Sequence, residues 1–118
     1  MKFASGSQLA QSRPAGTTAV NAFTATLLTE ITRIVVCNTT GTAAAMSIYH
    51  DDDGSTFDAT SALYEGTSIA ANESMEIKAE SIGGGLMVAG DGQIGVKTGT
   101  ASALTFTIYG ITQEASYV

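Results

Sequence analysis

The chain has 118 residues, a formal net charge of -6, one Cys, one His, one Pro and no Trp, beside 13 Gly, 18 Ala and 17 Thr. That length fits a single domain, and one Cys excludes an internal disulfide framework or a multi-cysteine zinc site. Hydrophobic content of 44% against 14% charged residues argues against wholesale disorder; no apolar run approaches the ~20 residues of a membrane span, and the acidic balance argues against a nucleic-acid backbone as partner.

Residues 1–17 are rich in Ser, Gln, Ala and Gly, hold Pro14 and show neither the helical nor the strand period. They read as an extended arm outside the core, with Lys2, Phe3, Leu9, Arg13 and Pro14 as its contact residues. Two fates suit such an arm: a frayed terminus, or a segment that orders on a neighbouring subunit. Met1–Gln8 lacks the continuous apolar stretch of a secretory signal, so none is expected. The folded domain is expected over 18–118.

From residue 18 the signals are those of strands, β-branched runs broken by Gly, Asn and Asp. Val20, Ala22 and Phe23 mark the first; a helix over 22–28 is the local alternative. Ile31–Cys37 is a continuous apolar run and predicts a central strand buried on both faces. Ala44–His50 predicts a third, with Met46 and Ile48 opposite to Ser47 and Tyr49. A short strand is expected around Leu63 and Tyr64. Glu73–Glu80 alternates, Met75, Ile77 and Ala79 inward and Glu76, Lys78 and Glu80 outward, as in antiparallel sheets with one wet face. Leu86–Val88 and Gln93–Val96 flank the turn Gly90-Asp91-Gly92. The last strand, 103–112, puts Leu104, Phe106 and Ile108 on one face and Thr105, Thr107 and Tyr109 on the other. About eight short strands with frequent turn signals predict an all-β fold, a single antiparallel β-sandwich, jelly-roll-like or Ig-like. Thr40-Gly41-Thr42-Ala43 recurs as Thr98-Gly99-Thr100-Ala101, and both copies read as hairpin turns with Gly as the permissive joint.

Chemistry-bearing residues are few. Asp51-Asp52-Asp53-Gly54-Ser55-Thr56-Phe57-Asp58 holds four carboxylates, and calcium takes about six to eight oxygens. With Gly54 at the sixth EF-hand position, Tyr49 and Thr60 fall at the first and twelfth, so the template fails and Asp51, Asp53 and Asp58 remain only a weak metal candidate. Asp52, Gly54, Thr56 and Phe57 resemble the Asp-box turn, in which Asp and Thr hydrogen-bond within a hairpin and the aromatic ring packs beneath it. His50 abuts the acidic turn without an evident nucleophile and reads as a hydrogen-bonded surface residue. Cys37 reads as an inert core residue, with Arg33 four residues back on the same strand face. Gly83-Gly84-Gly85 lacks the Lys-Ser/Thr of a phosphate loop and reads as a joint, as does Gly90–Gly92. No catalytic residue and no cofactor are expected. Nine of the eleven acidic residues fall between 51 and 91, whereas Lys2, Arg13 and Arg33 lie early. Such asymmetry suits a basic arm meeting the acidic face of another copy, and ordinary solubility explains it equally.

Four stretches carry a resemblance: Ile31–Thr40, ending Cys37-Asn38-Thr39-Thr40; Met46–Asp58; Ser68–Glu73 with its Ala70-Ala71-Asn72 turn; and Ala103–Gly110 with Ser102-Ala103-Leu104-Thr105-Phe106-Thr107. In this plan of strands and turns the chain resembles a family of small β-sandwich virion proteins of tailed bacteriophages. The resemblance covers about three quarters of the chain. At the first strand, Asn21-Ala22-Phe23-Thr24 departs from the family's Tyr-Thr-Val-Pro entry. The resemblance implies a virion structural protein without enzymatic activity, capsid decoration (cement) ahead of a neck, tail or fibre-attachment part, assembled in the host cytoplasm. Its partners would be other virion subunits (major capsid protein or neck and tail proteins) and its own copies in a homo-oligomer, with no nucleic acid and no membrane. The competing expectation is a receptor- or carbohydrate-binding module built on the 51–58 loop; a hydrolase reading rests on His50 and the carboxylates alone.

Overall fold

The structure, a computed structural model, describes residues 6–78 and 86–113. Among these residues nine strands are formed: β1 (Ser7–Ser12), β2 (Val20–Thr24), β3 (Thr29–Asn38), β4 (Ala44–Asp51), β5 (Ala62–Ile69), β6 (Ser74–Lys78), β7 (Leu86–Val88), β8 (Gln93–Thr98) and β9 (Leu104–Thr112). The expected alternative helix over 22–28 is absent: its first residues are β2, and the rest is the connection to β3.

The strands form two antiparallel sheets, β1-β9-β3-β6 with β7 also on β3, and β2-β8-β4-β5. Apart from β4–β5, and from β6 and β7 on the same side of β3, consecutive strands belong to opposite sheets or do not touch. An Ig sandwich keeps its first two strands side by side in one sheet. The order found here is that of a jelly roll, which decides between the two expected sandwiches. Strands β6 and β7 are one line along β3: Ser74–Lys78 pair with Cys37–Arg33, and Leu86–Val88 with Ile31–Thr29.

The core lies between the sheets. Ile31, Ile34 and Val36 of β3, Leu104, Phe106 and Ile108 of β9 and Ile77 of β6 face Met46 and Ile48 of β4 and Ile94 and Val96 of β8. The alternation read for the 103–112 strand is what places these side chains: register pairs Phe106 with Val36 and Ile108 with Ile34 on the dry face. Each such fully buried side chain stabilises by about 1.5–3 kcal/mol over its exposed state. On β6, Met75 and Ile77 take the inner positions and Glu76 and Lys78 the outer ones; Ala79 and Glu80 lie outside the described residues.

Three expectations are corrected. First, β3 is central in its sheet but wet on one face: Arg33 is exposed and Val35 and Cys37 are half-buried on the outer side. A β-branched run reports sheet membership as much as two-sided burial, and a bulge at Thr32 shifts the register against β9. Cys37 therefore stands on the outer face, opposite Ser74 and Thr105, rather than in the core. Second, the repeated Thr-Gly-Thr-Ala turns are arches, not hairpins: 39–43 joins β3 to β4 and 99–103 joins β8 to β9, each crossing between sheets. They meet at one end of the sandwich, where Gly99 N–H donates to the Ala45 carbonyl.

The third concerns the arm. Ser7–Ser12 is an edge strand of the chain's own sheet, paired with β9 from Ser7↔Gly110 to Ser12↔Phe106 with a bulge at Leu9. Leu9 and Ala10 pack against the core, Gln11 donates its Nε2 to Thr107 Oγ1 at 3.1 Å, and Pro14 is buried. The sandwich thus begins near residue 7, not 18. Lys2 and Phe3 lie outside the described residues. Polar SQLAQS has no strand period of its own; β9 supplies the pairing and the neighbouring sheet supplies the burial.

Candidate functional site

The two ends of the jelly roll differ in chemistry. At one end, Ala25 exchanges backbone bonds with Asp91 and Gly92, and Gln113 donates to Leu28, so the β2–β3 and β7–β8 connections lie together with the chain's exit from β9. The acidic β4–β5 loop joins them there. At the other end Pro14 bonds Ser102, Thr40 bonds Asn72, and Gly99 bonds Ala45.

At that second end Arg13 donates to the Ser102 carbonyl at 2.8 Å and to Thr39 Oγ1 at 3.3 Å. Ser102 N–H in turn donates to the Pro14 carbonyl, and Ser102 adopts φ 55°. The sole Arg of the first thirty residues therefore clamps both repeated turns and lies at the opposite end from the acidic loop. Beside it, buried Asn38 caps β3: its Nδ2 donates to the carbonyls of Thr42 (2.8 Å) and Ile69 (3.0 Å), and its Oδ1 accepts from Thr40 N–H (2.9 Å) and Thr40 Oγ1 (2.7 Å). This accounts physically for the Cys-Asn-Thr ending of the strand.

The acidic loop is organised by strand parity. Along β4, register pairs His50 with Ile94 on the core side and Asp51 with Gln93 on the outer side. Asp51 accepts Asp53 N–H through Oδ1 (3.2 Å) and Thr56 N–H through Oδ2 (2.8 Å), curling the loop back over the sheet. Phe57 then lies on Gly95 of β8, where a Cβ would come within 2.5 Å of its ring, and its ring centroid is 6.1 Å from that of Tyr49. Tyr49 points out of the sandwich yet is buried, because this loop covers it. Asp58 accepts Thr60 N–H, and Ser61 Oγ donates to the Thr56 carbonyl, closing the loop.

Asp52 faces the other way. Its Oδ1 accepts Ala89 N–H at 3.0 Å, lies 2.8 Å from His50 Nε2 and sits over Gly92, where no Cβ would fit. It straps the β4–β5 loop to the β7–β8 turn. In the turn compared with an Asp-box, Phe57 packs on the sheet, and Asp51, not Asp52, receives the turn's N–H groups. Gly54 lies close to Asp51 Oδ2, at 3.4 Å from its Cβ position. The strap's receiving side, Ala89 and Gly92, was not foreseen; the Gly-Asp-Gly turn signalled only a bend.

The same geometry sets the charges. The Thr56 N–H, with the side chain and N–H of Asp53, holds the Asp51 carboxyl below its ordinary value. Partial burial pushes Asp52 up, but the Ala89 N–H and His50 outweigh it and leave it lowered. Asp53, hydrogen-bonded to and repelled by Asp51, is raised. The Thr60 hydroxyl and then its N–H lower Asp58. Among the described residues, no three His, Cys, Asp or Glu side chains converge on a point. Asp51 and Asp58 turn their carboxylates to backbone donors of their own loop. His50 is on the core side of β4 and bound to Asp52, engaged in holding the loop. On the outer face of the other sheet Arg33 pairs with Glu76 (3.1 Å) and stacks on Tyr109 (4.6 Å to the ring centroid), well away from His50.

No protein-family model and no curated protein sequence matches the chain. Solved structures do resemble it. The structure of the infectious bursal disease virus Gx strain is 15% identical with a TM-score of 0.47, over 95% of this chain and 33% of that one. The crystal structure of the T13 IBDV viral particle is 11% identical with a TM-score of 0.48, over 92% of this chain and 31% of that one. The tobacco streak virus coat protein dimer is 9% identical with a TM-score of 0.38, over 95% and 84%. The chain thus spans about a third of the length of the first two.

Proposed function

We propose that this chain is a non-enzymatic virion structural protein of a tailed bacteriophage, an accessory subunit on the particle exterior that serves as capsid decoration. The observation that carries the reading is the strand order β1-β9-β3-β6 over β2-β8-β4-β5, a jelly roll, an architecture shared by viral capsid and lectin domains. Fold alone does not choose among these. Three features favour the structural role. The residues that resemble phage virion proteins are those that build this frame: Asn38 caps a strand, the 51–58 loop covers Tyr49, and the Ala-Ala-Asn turn places Asn72 at φ 59°. His50, Asp51, Asp52 and Asp58 are engaged with polar groups of the loop and of the adjoining β7–β8 turn, which supports holding rather than turnover. The outer face of the β1-β9-β3-β6 sheet carries the uncharged side chains of Gln11, Thr105, Thr107, Val35 and Ser74 beside the charged group Arg33, Glu76 and Lys78, and the uncharged part suits contact with other virion subunits.

Mass spectrometry of purified particles and immunogold labelling test this. Label over the head surface is expected. Label confined to the tail end would replace decoration by a neck or tail role, and absence of the chain from purified particles would remove the virion reading altogether.

A further inference from the structure

β1 is joined to the rest of the sandwich by a tether that little holds. Residues 15–18 are exposed, and among the described residues none of 15–19 makes a backbone hydrogen bond. Before the tether, β1 and its end form a compact docking unit. Leu9 reaches Gly110, Gln11 bonds Thr107, the Pro14 carbonyl receives Ser102 N–H, and Arg13 bonds Ser102 and Thr39. All of these receiving groups belong to β9 or to the two turns beside its start. The edge of β9 is also shaped for a strand, since a Cβ at Gly110 would meet Leu9 Cδ1 at 2.8 Å. After the tether comes Val20. It is the register partner of fully buried Val96, yet it is 37% exposed. The side of the sandwich between β1 and β2 is thus incompletely closed.

We propose that β1 exchanges between two copies of this chain: residues 7–14 of each copy dock on β9 of the other, and the copies meet along their β1/β2 sides. A five-residue tether spans at most ~17 Å, which confines the exchange to partners placed side against side about a two-fold axis, an isologous arrangement. Every contact of the closed form is remade in the exchanged one, so concentration decides between them. The seam brings together the two Val20 side chains, which the closed form leaves partly exposed. This deepens the assembly reading above and rests on it for the high local concentration that a particle supplies.

The test is a disulfide across β1 and β9, Gln11→Cys with Thr107→Cys in a Cys37→Ser background, residues that are direct cross-strand partners. Protein is oxidised at micromolar and at millimolar concentration, and its oligomers are separated under denaturing, non-reducing conditions. A link within one chain at low concentration and covalent dimers rising to a major fraction at high concentration are expected. Links confined to single chains at both concentrations overturn the exchange. Tether length gives a second measurement that needs no disulfide. Deleting Gly16 and Thr17 should raise the dimer fraction at least several-fold by sedimentation, and inserting Gly-Ser-Gly should lower it; equal dimer fractions in both variants overturn the proposal. The chain found in virions while both tests stay negative would refute exchange alone. Exchange in the isolated protein, with none of the chain in virions, would refute the virion role alone.

Discussion

The seat of Phe57 on Gly95 offers a perturbation whose sign can be reversed. In Gly95→Ala the new Cβ would lie 2.5 Å from Phe57 Cγ and Cδ1 and 2.7 Å from Cδ2. Carbon atoms rest at about 3.5 Å, so the ring must retreat by about 1 Å and draw the 52–61 loop off Tyr49. Overpacking of this kind costs about 1–3 kcal/mol, while replacing a strand Gly by Ala recovers about 0.5–1 kcal/mol of backbone entropy. The net expectation is a loss of about 1–2 kcal/mol, a fall in Tm of roughly 3–8 °C for a chain of this size. Removing the ring removes the clash. In a Phe57→Ala background, Gly95→Ala should be neutral or stabilising by up to about 1 kcal/mol. The coupling across the double-mutant cycle is then about 1–3 kcal/mol. Urea unfolding of the four proteins measures it, and near-ultraviolet circular dichroism reports the surroundings of Tyr49 in parallel. An equal loss from Gly95→Ala with and without the ring would refute the seat.

Asn38→Ala leaves the Thr42 and Ile69 carbonyls without their donor at a buried site, and a loss of about 2–4 kcal/mol is expected by chemical denaturation; a loss below about 0.5 kcal/mol would contradict the cap. Gly110→Ala drives a Cβ into the Glu30 carbonyl oxygen and Leu9, so it should destabilise by about 2–3 kcal/mol, and removing residues 1–12 should relieve only the part of that clash that belongs to Leu9. The loop carboxylates predict opposite pH effects. Asp51, Asp52 and Asp58 are lowered, so their contribution is present above their ordinary value of 3.8 and is lost as pH falls through their folded values. Asp53 is raised, so it favours the fold below 3.8 and opposes it once pH rises through its folded value. Asp53→Asn should therefore raise Tm at pH 7 and lose that advantage below pH 3.8; a lower Tm at pH 7 would reverse the assignment of repulsion to Asp51.

How much of this was legible in the residues depends on how local each cause is. The inward positions of β6 and β9 follow from alternation alone, because one face of a paired strand must be dry. Sheet membership does not. Thr40-Gly41-Thr42-Ala43 permits a tight reversal, but whether the chain returns beside the same strand or crosses to the other sheet is decided by strands far along the sequence. That is why hairpins were expected where arches are found, and why jelly roll and Ig sandwich stood level. β1 was missed for the same reason: Leu9 is its one large apolar residue, and its place is set by Gly110, about a hundred positions away. In the acidic loop the side chain that gathers the turn's N–H groups is Asp51 rather than Asp52. β4 extends one residue past His50, which turns Asp51 toward the sheet's outer face and leaves Asp52 free to reach Ala89.

The jelly-roll order also converts a charge asymmetry along the chain into one across the molecule. Because consecutive strands mostly alternate between sheets, connections collect at two ends. The 13–19, 39–43, 70–73 and 99–103 segments share one end and carry a single cation, Arg13, and a single acid, Glu73. The described connections at the other end carry Asp52, Asp53, Asp58 and Asp91, with Asp51 closing β4 beside them. Like charges so placed repel a second copy of the same end by more than ordinary rim contacts return. That leaves the sides, and the end where Arg13 and Glu73 balance, less repulsive to a second copy. On the sides four edge strands are guarded, while β7 leaves Met87 exposed: β1 and β2 carry bulges, β5 is interrupted at Gly66 with φ 67°, and β6 presents Glu76 and Lys78. Strand addition onto these edges is thus disfavoured. What the molecule leaves available is replacement of an edge strand by its own equivalent from another copy, for which, among the described residues, β1 has an exposed tether on one side and a complete set of receiving groups on the other.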